Sequence, residues 1–197
     1  MTTTYLALHD RRLEGGVPNR PRLGIINTNE TVGLHSAFMQ IHGFARWGKI
    51  HTLFILCHGY AGENTRAQVC MDAGGMGLEL GKEDVLHSNV SQWTTIKNKV
   101  ENIVVYACGA GDTQRGNEGT DADGRYLMGA LAIHTNATVY AADKIQWYDT
   151  YKGLKDGRFD FGDWEGQLWA FPSNGSSPVP VQGAPVEFSD VMSGVAA

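Results

Sequence analysis

The chain lacks several features by which other classes of protein are recognised. It has no basic run, and 21 acidic against 16 basic residues give a formal net charge of −5, so we expect no nucleic-acid partner. It has no long apolar stretch, and residues 1–15 carry four charged side chains, so we expect neither a signal peptide nor a membrane partner. The expected location is the cytoplasm, and export by a route without a cleaved signal stays open.

Cysteine is scarce and arranged unlike a ligand set. Cys57, Cys70 and Cys108 are an odd number without CxxC spacing, which argues against a disulfide framework and against a zinc site. The histidines show no metal-ligand spacing either. We therefore expect no metal and no other cofactor, while activation by Ca²⁺ or another effector and the oligomeric state stay open. One reactive thiol is the chemistry that this inventory leaves available.

The apolar residues, 42% of the chain, predict one α/β domain over residues 1–171 with a well-filled core. Short β-branched runs favour buried strands of a mostly parallel sheet, and three- and four-residue apolar spacing favours helices between them. The predicted strands are 4–9, 22–27, 52–58, 103–107 and 138–142. The predicted helices are 28–47, the later part of 82–100, and 121–135.

Two further segments complete the predicted domain. The alternating runs 68–71 and 76–80, separated by Asp72-Ala73-Gly74-Gly75, predict a β-hairpin inserted after the strand that ends at His58. Residues 167–171 predict a last strand. From Pro172 the composition turns to Ser, Gly, Pro and Val, so residues 172–197 are expected to form an irregular C-terminal tail.

Two of the predicted strands end at reactive side chains followed by glycine. One ends in Cys57-His58-Gly59 and the other in Ala107-Cys108-Gly109. Chemistry in open α/β sheets gathers at the carboxyl ends of parallel strands. If these strands are neighbours, an imidazole and a thiol meet at one edge, which is the arrangement that a Cys–His nucleophile pair needs.

His58, Cys108 and the adjacent backbone amides can each take one role in acyl transfer. A nearby imidazole shifts the Cys108 thiol towards the nucleophilic thiolate, and His58 then protonates the leaving amine. The amides of Gly59 and Cys108 are the candidate oxyanion hole. Cys57 should point to the opposite face of its strand as a buried core residue.

A strand ending in His-Gly, followed about 50 residues later by one ending in Ala-Cys-Gly, resembles the caspase-like (clan CD) cysteine peptidases. The resemblance covers roughly residues 22–150. Tyr106 stands where true caspases have Gln. The chain is more similar to a bacterial caspase-like family of unknown function, through its Gly-rich segment 74–81, Trp93, the Tyr-x-Cys of 106–108 and the run 131–142.

This resemblance implies a three-layer caspase-like fold and a thiol protease, a hydrolase that cleaves a protein or peptide after a chosen P1 residue. It also implies that the S1 pocket borders the strand after Cys108, at Asp143 and residues 144–148. An acidic Asp143 would favour Arg or Lys at P1, unless Lys144 compensates its charge. Trp147 would line the pocket. Asp112 and Glu118 are rival specificity residues on the post-Cys loop.

Two other kinds of nucleophile loop do not fit the residues around Cys108. Arg115 is one residue too far from Cys108 for the Cys-x5-Arg loop of tyrosine phosphatases, and Tyr106 does not suit an α/β-hydrolase elbow. Two alternatives stay open. One is a non-catalytic caspase-like scaffold or recognition module, and the other is a peptidase that cleaves itself within 109–119 or 151–160.

Overall fold

The computed structural model describes residues 4–60, 74–144, 146, 159 and 161–194. Its centre is a seven-stranded sheet. The strands are β1 (Tyr5–Asp10), β2 (Leu23–Thr28), β3 (Ile50–Leu56), β6 (Val100–Tyr106), β7 (Thr138–Ala142), β8 (Leu168–Phe171) and β9 (Val179–Val181). Across the sheet they follow the order β2-β1-β3-β6-β7-β8-β9. The first five pair in parallel, and β8 and β9 are antiparallel. The predicted mostly parallel α/β architecture is confirmed.

Helices lie on both faces of this sheet. They are α1 (Leu34–Phe44), α2 (Gly124–Thr135) and α3 (Phe188–Ser193), with short 3₁₀ helices at Ala45–Trp47 and Val90–Ile96. Buried residues of α1, α2 and the second 3₁₀ helix share one core with one face of the sheet. Phe188 and Val191 of α3 join Phe159 and Phe161 in a second core on the other face. The chain thus forms three layers. No helix within the described ranges is long and apolar enough to cross a membrane.

The first helix follows the predicted positions with a later start. An Asx turn at Asn29, whose side-chain oxygen accepts hydrogen bonds from the amides of Thr31 and Val32, delays α1 to Leu34. The crossover from β2 through α1 to β3 passes over β1, because β1 pairs with both strands.

The predicted helix in the later part of 82–100 is a 3₁₀ helix. Its buried residues Val90, Trp93 and Ile96 recur every three positions. That interval matches the three residues per turn of a 3₁₀ helix, so one face carries all three.

The predicted irregular tail contains regular elements. β9 pairs with β8, and α3 places Phe188 and Val191 in the second core. Composition was misleading here, because Phe188 and Val191 are buried in the second core and Val181, Ala184, Val186 and Met192 pack against it.

The predicted hairpin lies only partly within the described residues, since 61–73 are outside them. Leu78 and Glu79 form the short strand β5 (Leu78–Glu79). It pairs antiparallel with β4 (His58–Gly59), which is separated from the end of β3 by Cys57 alone. We call this two-stranded unit the β4–β5 ribbon.

Candidate active site

The strands β3 and β6 are neighbours, which is the condition that the predicted Cys–His pair required, and they end together. Their parallel register runs to Leu56 opposite Tyr106, and the Cys57 amide still donates to the Tyr106 carbonyl at 3.4 Å. His58 lies two residues beyond Leu56, and Cys108 lies two residues beyond Tyr106. The register therefore brings the imidazole-bearing and thiol-bearing positions to matching places at the carboxyl edge of the sheet.

The two described cysteines lie in different environments. Cys57 belongs to the first core and is 2% exposed, as predicted for a residue on the opposite face from His58. Burial raises the pKa of its thiol well above the ordinary value, so Cys57 stays protonated and inert. Cys108 contacts Gln146, whose side chain bonds the Phe161 carbonyl, so the thiol lies on the face of Tyr106 and the second core.

Cys108 lies in a tight turn fastened to the segment after β7. Its side chain is 9% exposed, and its Sγ donates to the Gln146 carbonyl oxygen at 3.8 Å. Gly109 adopts φ +58, a left-handed conformation that glycine accepts without steric cost. The Gly109 amide donates to the Lys144 carbonyl at 2.8 Å. The turn therefore holds the thiol in one place.

Gly59 lies directly against the backbone of Cys108. A β-carbon added to Gly59 would collide with the Cys108 carbonyl oxygen and come within 3.1 Å of the Cys108 nitrogen. The Tyr60 amide donates to the Gly77 carbonyl at 3.0 Å, so the alternation of the antiparallel ladder points the Gly59 amide away from β5. The two backbones that carry the predicted oxyanion-hole amides are thus in contact.

An aromatic cluster lies below Cys108 on the same face of the sheet. The Tyr106 ring stacks on Phe161 and Trp164, with centroid distances of 4.3 and 4.6 Å. Its hydroxyl accepts a hydrogen bond from the Phe188 amide at 3.1 Å. In the sequence Tyr106 departs from the true caspase pattern and belongs to the Tyr-x-Cys feature of 106–108. In the fold it joins α3 to the strand that leads to the thiol.

Gln146 lies within the predicted S1 range 144–148, but sequence reasoning gave it no individual role. It is 5% exposed. Its Nε2 donates to the carbonyls of Phe161 and Asp163 at 2.9 and 3.2 Å, and its Oε1 accepts from the Glu165 amide at 3.4 Å. The carbonyl that contacts Cys108 thus belongs to a residue whose side chain holds the 161–165 loop. No local pattern distinguishes this glutamine in the sequence.

The predicted specificity carboxylates are engaged with the chain itself. Asp143 is half-buried, and it accepts from the Gln167 amide at 2.9 Å and from Trp169 Nε1 at 3.1 Å. Asp112, also half-buried, accepts from the Gly74 amide at 3.0 Å. Both residues lie beside the candidate centre, and both have a structural role there.

The other predicted site residues are placed as follows. Lys144 and Glu118 are exposed, and Glu118 accepts a bond from the Gly116 amide at 2.7 Å. Trp147 and Cys70 lie outside the described residues. Within the described part of the chain, no group of three or more His, Cys, Asp or Glu side chains could hold a metal ion.

A cavity of about 400 Å³ opens at the same edge of the sheet, between the 163–168 loop and residues 181–187. Gln167 lines it and also bonds Asp143, so the cavity adjoins the predicted S1 region. Asp163 and Glu187 give it two carboxylates. One of these, Glu187, accepts a hydrogen bond from Trp164 Nε1 at 2.8 Å.

Comparison with protein-family models matched no family, and a search of curated proteins found no significant match.

Proposed function

We propose that this chain is a cysteine endopeptidase with the caspase-like form of the α/β fold, and that Cys108 and His58 are its catalytic dyad. One observation carries the proposal: the β3–β6 register, together with the backbone contact between Gly59 and Cys108, brings the two strand ends against each other. The parallel sheet flanked by helices is the architecture that the caspase-like resemblance implies.

The proposed reaction is acyl transfer through a thioester. The Cys108 thiol gives its proton to His58, and the thiolate attacks the scissile carbonyl carbon. The amides of Gly59 and Cys108 donate to the oxyanion that forms. His58 returns the proton to the leaving amine as the C–N bond breaks. Water, deprotonated by His58, then hydrolyses the thioester and frees the thiol.

The proposed substrate is a protein or peptide with a basic P1 residue. Three half-buried or cavity-lining carboxylates support this preference: Asp143, Asp163 and Glu187. The Asp143 carboxylate, which accepts the Gln167 and Trp169 bonds, would attract a guanidinium or ammonium group at P1. Cleavage within the chain itself is a special case of the same activity.

A non-catalytic caspase-like recognition module is the second candidate function. The observation that favours it is the burial of Cys108, whose Sγ already donates to the Gln146 carbonyl. A substrate would have to displace that contact before the thiol could react.

The first experiment compares the wild type with Cys108→Ala on peptides that vary at P1, with and without Ca²⁺. We expect cleavage and covalent labelling by an Arg/Lys-directed probe, both lost in Cys108→Ala and kept in the matched control Cys57→Ala. Asp143→Asn and Asp163→Asn identify the carboxylate that selects P1. If the wild type neither cleaves nor labels under any condition, the recognition module replaces the peptidase.

A further inference from the structure

A buried group of charges adjoins the candidate centre and has no part in the reaction described above. Arg12 bonds Asp10 at 2.8 Å, Glu79 at 3.2 Å and Asp84 at 3.4 Å. Asp10 is fully buried, and Glu79 and Asp84 are each 7% exposed. One guanidinium therefore faces three carboxylates, which leaves the group with an excess of negative charge when all are ionised.

The group also fastens the β4–β5 ribbon to the end of β1. The Gly81 amide donates to Asp10 Oδ2 at 2.8 Å, and Arg12 Nη2 donates to the Gly81 carbonyl at 2.9 Å. The Tyr60 hydroxyl, one residue beyond Gly59, donates to Asp84 Oδ2 at 2.7 Å. The charged group thereby bonds residues just beyond both strands of the ribbon that carries His58.

Stability alone is a poor reason for this arrangement. Removing charges from water costs several kcal/mol per ion, and a well-packed apolar group of the same size often stabilises a fold as well or better. Three carboxylates around one cation add repulsion among themselves. The position of the group relative to His58 offers a better reason.

Glu79 lies directly opposite His58 in the antiparallel ladder of the ribbon. Residues opposite each other in such a ladder project their side chains to the same side, with β-carbons about 5 Å apart. The Arg12 contact holds the Glu79 carboxylate in a fixed position. Glu79, anchored by Arg12, thus lies directly opposite His58 on the ribbon that bears the imidazole.

We propose that Glu79, held by Arg12, is the positioning residue of His58. This inference rests on the proposed peptidase function. The carboxylate orients the imidazole and stabilises its charged form after His58 takes the proton of the Cys108 thiol. Glu79 itself neither gains nor loses a proton, and that proton passes from His58 to the leaving amine.

The test compares Glu79→Gln with Glu101→Gln, which removes the same charge from an exposed position on β6. We expect kcat of Glu79→Gln to fall by about 10- to 100-fold, with KM within about twofold of the wild type. Glu79→Asp, which keeps the charge, should recover part of the lost kcat. A role confined to the fold would lower the melting temperature without this separation of kcat from KM.

A second measurement does not depend on peptidase activity. In protein labelled with ¹⁵N-histidine, the His58 ring signals, assigned by their loss in His58→Asn, should move in Glu79→Gln and stay in place in Glu101→Gln. In the wild type, an NOE should join the His58 ring protons to the Glu79 Hγ protons, whether or not Glu79→Gln folds.

The outcomes separate the two proposals. Unmoved His58 signals in folded Glu79→Gln, or no NOE in the wild type, would overturn the role of Glu79 even if Cys108-dependent cleavage is found. A wild type that cleaves nothing would overturn the peptidase, and the NMR measurements would still decide whether Glu79 positions His58.

Discussion

At the scale of single residues, Gly59 is the position with least room for change. The space that a side chain would need is already filled by the carbonyl of Cys108. We predict that Gly59→Ala pushes the β4–β5 ribbon away from the Cys108 turn and lowers kcat/KM by about 100-fold, comparable to the loss of an oxyanion-hole donor. Steady-state hydrolysis of the best peptide from the P1 panel measures this.

The matched control is Gly129→Ala in α2. A β-carbon there meets nothing within 4 Å, and alanine in a helix is favoured over glycine by about 0.5–1 kcal/mol. We expect full activity and a slightly higher melting temperature. Wild-type kcat/KM in Gly59→Ala would show that the contact with Cys108 does not govern catalysis.

Also at this scale, the residues of the candidate site divide into those that the sequence could predict and those that it could not. His58 and Cys108 were predictable, because a β-branched run ending in a reactive side chain and glycine is a local pattern. Gln146 and Glu79 were not, because their partners Phe161 and Arg12 are distant in the chain and meet them only after the sheet has formed. The bonds that engage Asp143 could not be anticipated for the same reason.

At the scale of elements, α3 is a short helix with a large share of the second core. Phe188 is 1% exposed, and it packs edge-on against Phe54 and Phe161 at 5.5 and 5.6 Å. We predict that Phe188→Ala lowers the free energy of unfolding by about 3–5 kcal/mol, measured by urea denaturation. The exposed neighbour Ser189 supplies the control: Ser189→Ala should stay within about 0.5 kcal/mol of the wild type. A loss below about 1 kcal/mol in Phe188→Ala would mean that α3 adds little to the core.

The start of α2 depends on one carboxylate. Asp123 accepts hydrogen bonds from the Tyr126 amide, the Gly119 amide and the Thr113 hydroxyl. We predict that Asp123→Ala costs about 1–2 kcal/mol, and that Asp123→Asn recovers part of it. Urea denaturation at neutral pH checks both, and equal stability of Asp123→Ala and the wild type would contradict the capping role.

The elements also show where sequence patterns fail. The parallel strands were predictable, because burial on both faces demands continuous apolar runs. The apolar spacing of Val90, Trp93 and Ile96 predicts a helix. It does not decide the helix type, since a spacing of three is compatible with both an α-helix and a 3₁₀ helix. Phe188 and Val191 are the only residues of α3 that are buried, and they lie in a Ser-, Gly- and Pro-rich segment whose composition does not indicate a helix.

At the scale of the whole molecule, buried titratable groups should make stability depend on pH in two steps. Burial lowers the pKa of His9 below 6.5, against the raising effects of its hydrogen bond to the Leu13 carbonyl and of Asp10. The folded state therefore binds fewer protons than the unfolded state below about pH 6.5, and stability falls as the pH falls through that value, by at most about 1.4 kcal/mol per pH unit. Above about pH 7.5 His9 is neutral in both states and contributes no slope.

The second step belongs to Asp10 and Asp123. Burial alone would raise the pKa of Asp10, but hydrogen bonds from Arg12 and Gly81 outweigh it and lower that pKa below 3.8. Asp123 behaves in the same way through Gly119 and Thr113. Their stabilisation is present above about pH 4 and is lost as the pH falls further.

Urea midpoints between about pH 3 and pH 8 measure both steps. We expect His9→Gln to remove the step below pH 6.5 and to keep the step below pH 4. An unchanged slope between about pH 5 and pH 6.5 in His9→Gln would assign that step to another group.

The two edges of the sheet differ in their capacity to be extended. β9 is three residues long, and its middle residue, Pro180, pairs with Trp169 but has no N–H to offer a strand on its other side. β2 has an N–H at each of its six residues. A peptide or a second copy that joined the sheet by strand addition would find a complete ladder at β2 and an interrupted one at β9. Growth of the sheet is thereby biased to the β2 edge, although both edges lie three strands away from β6, the strand that leads to Cys108.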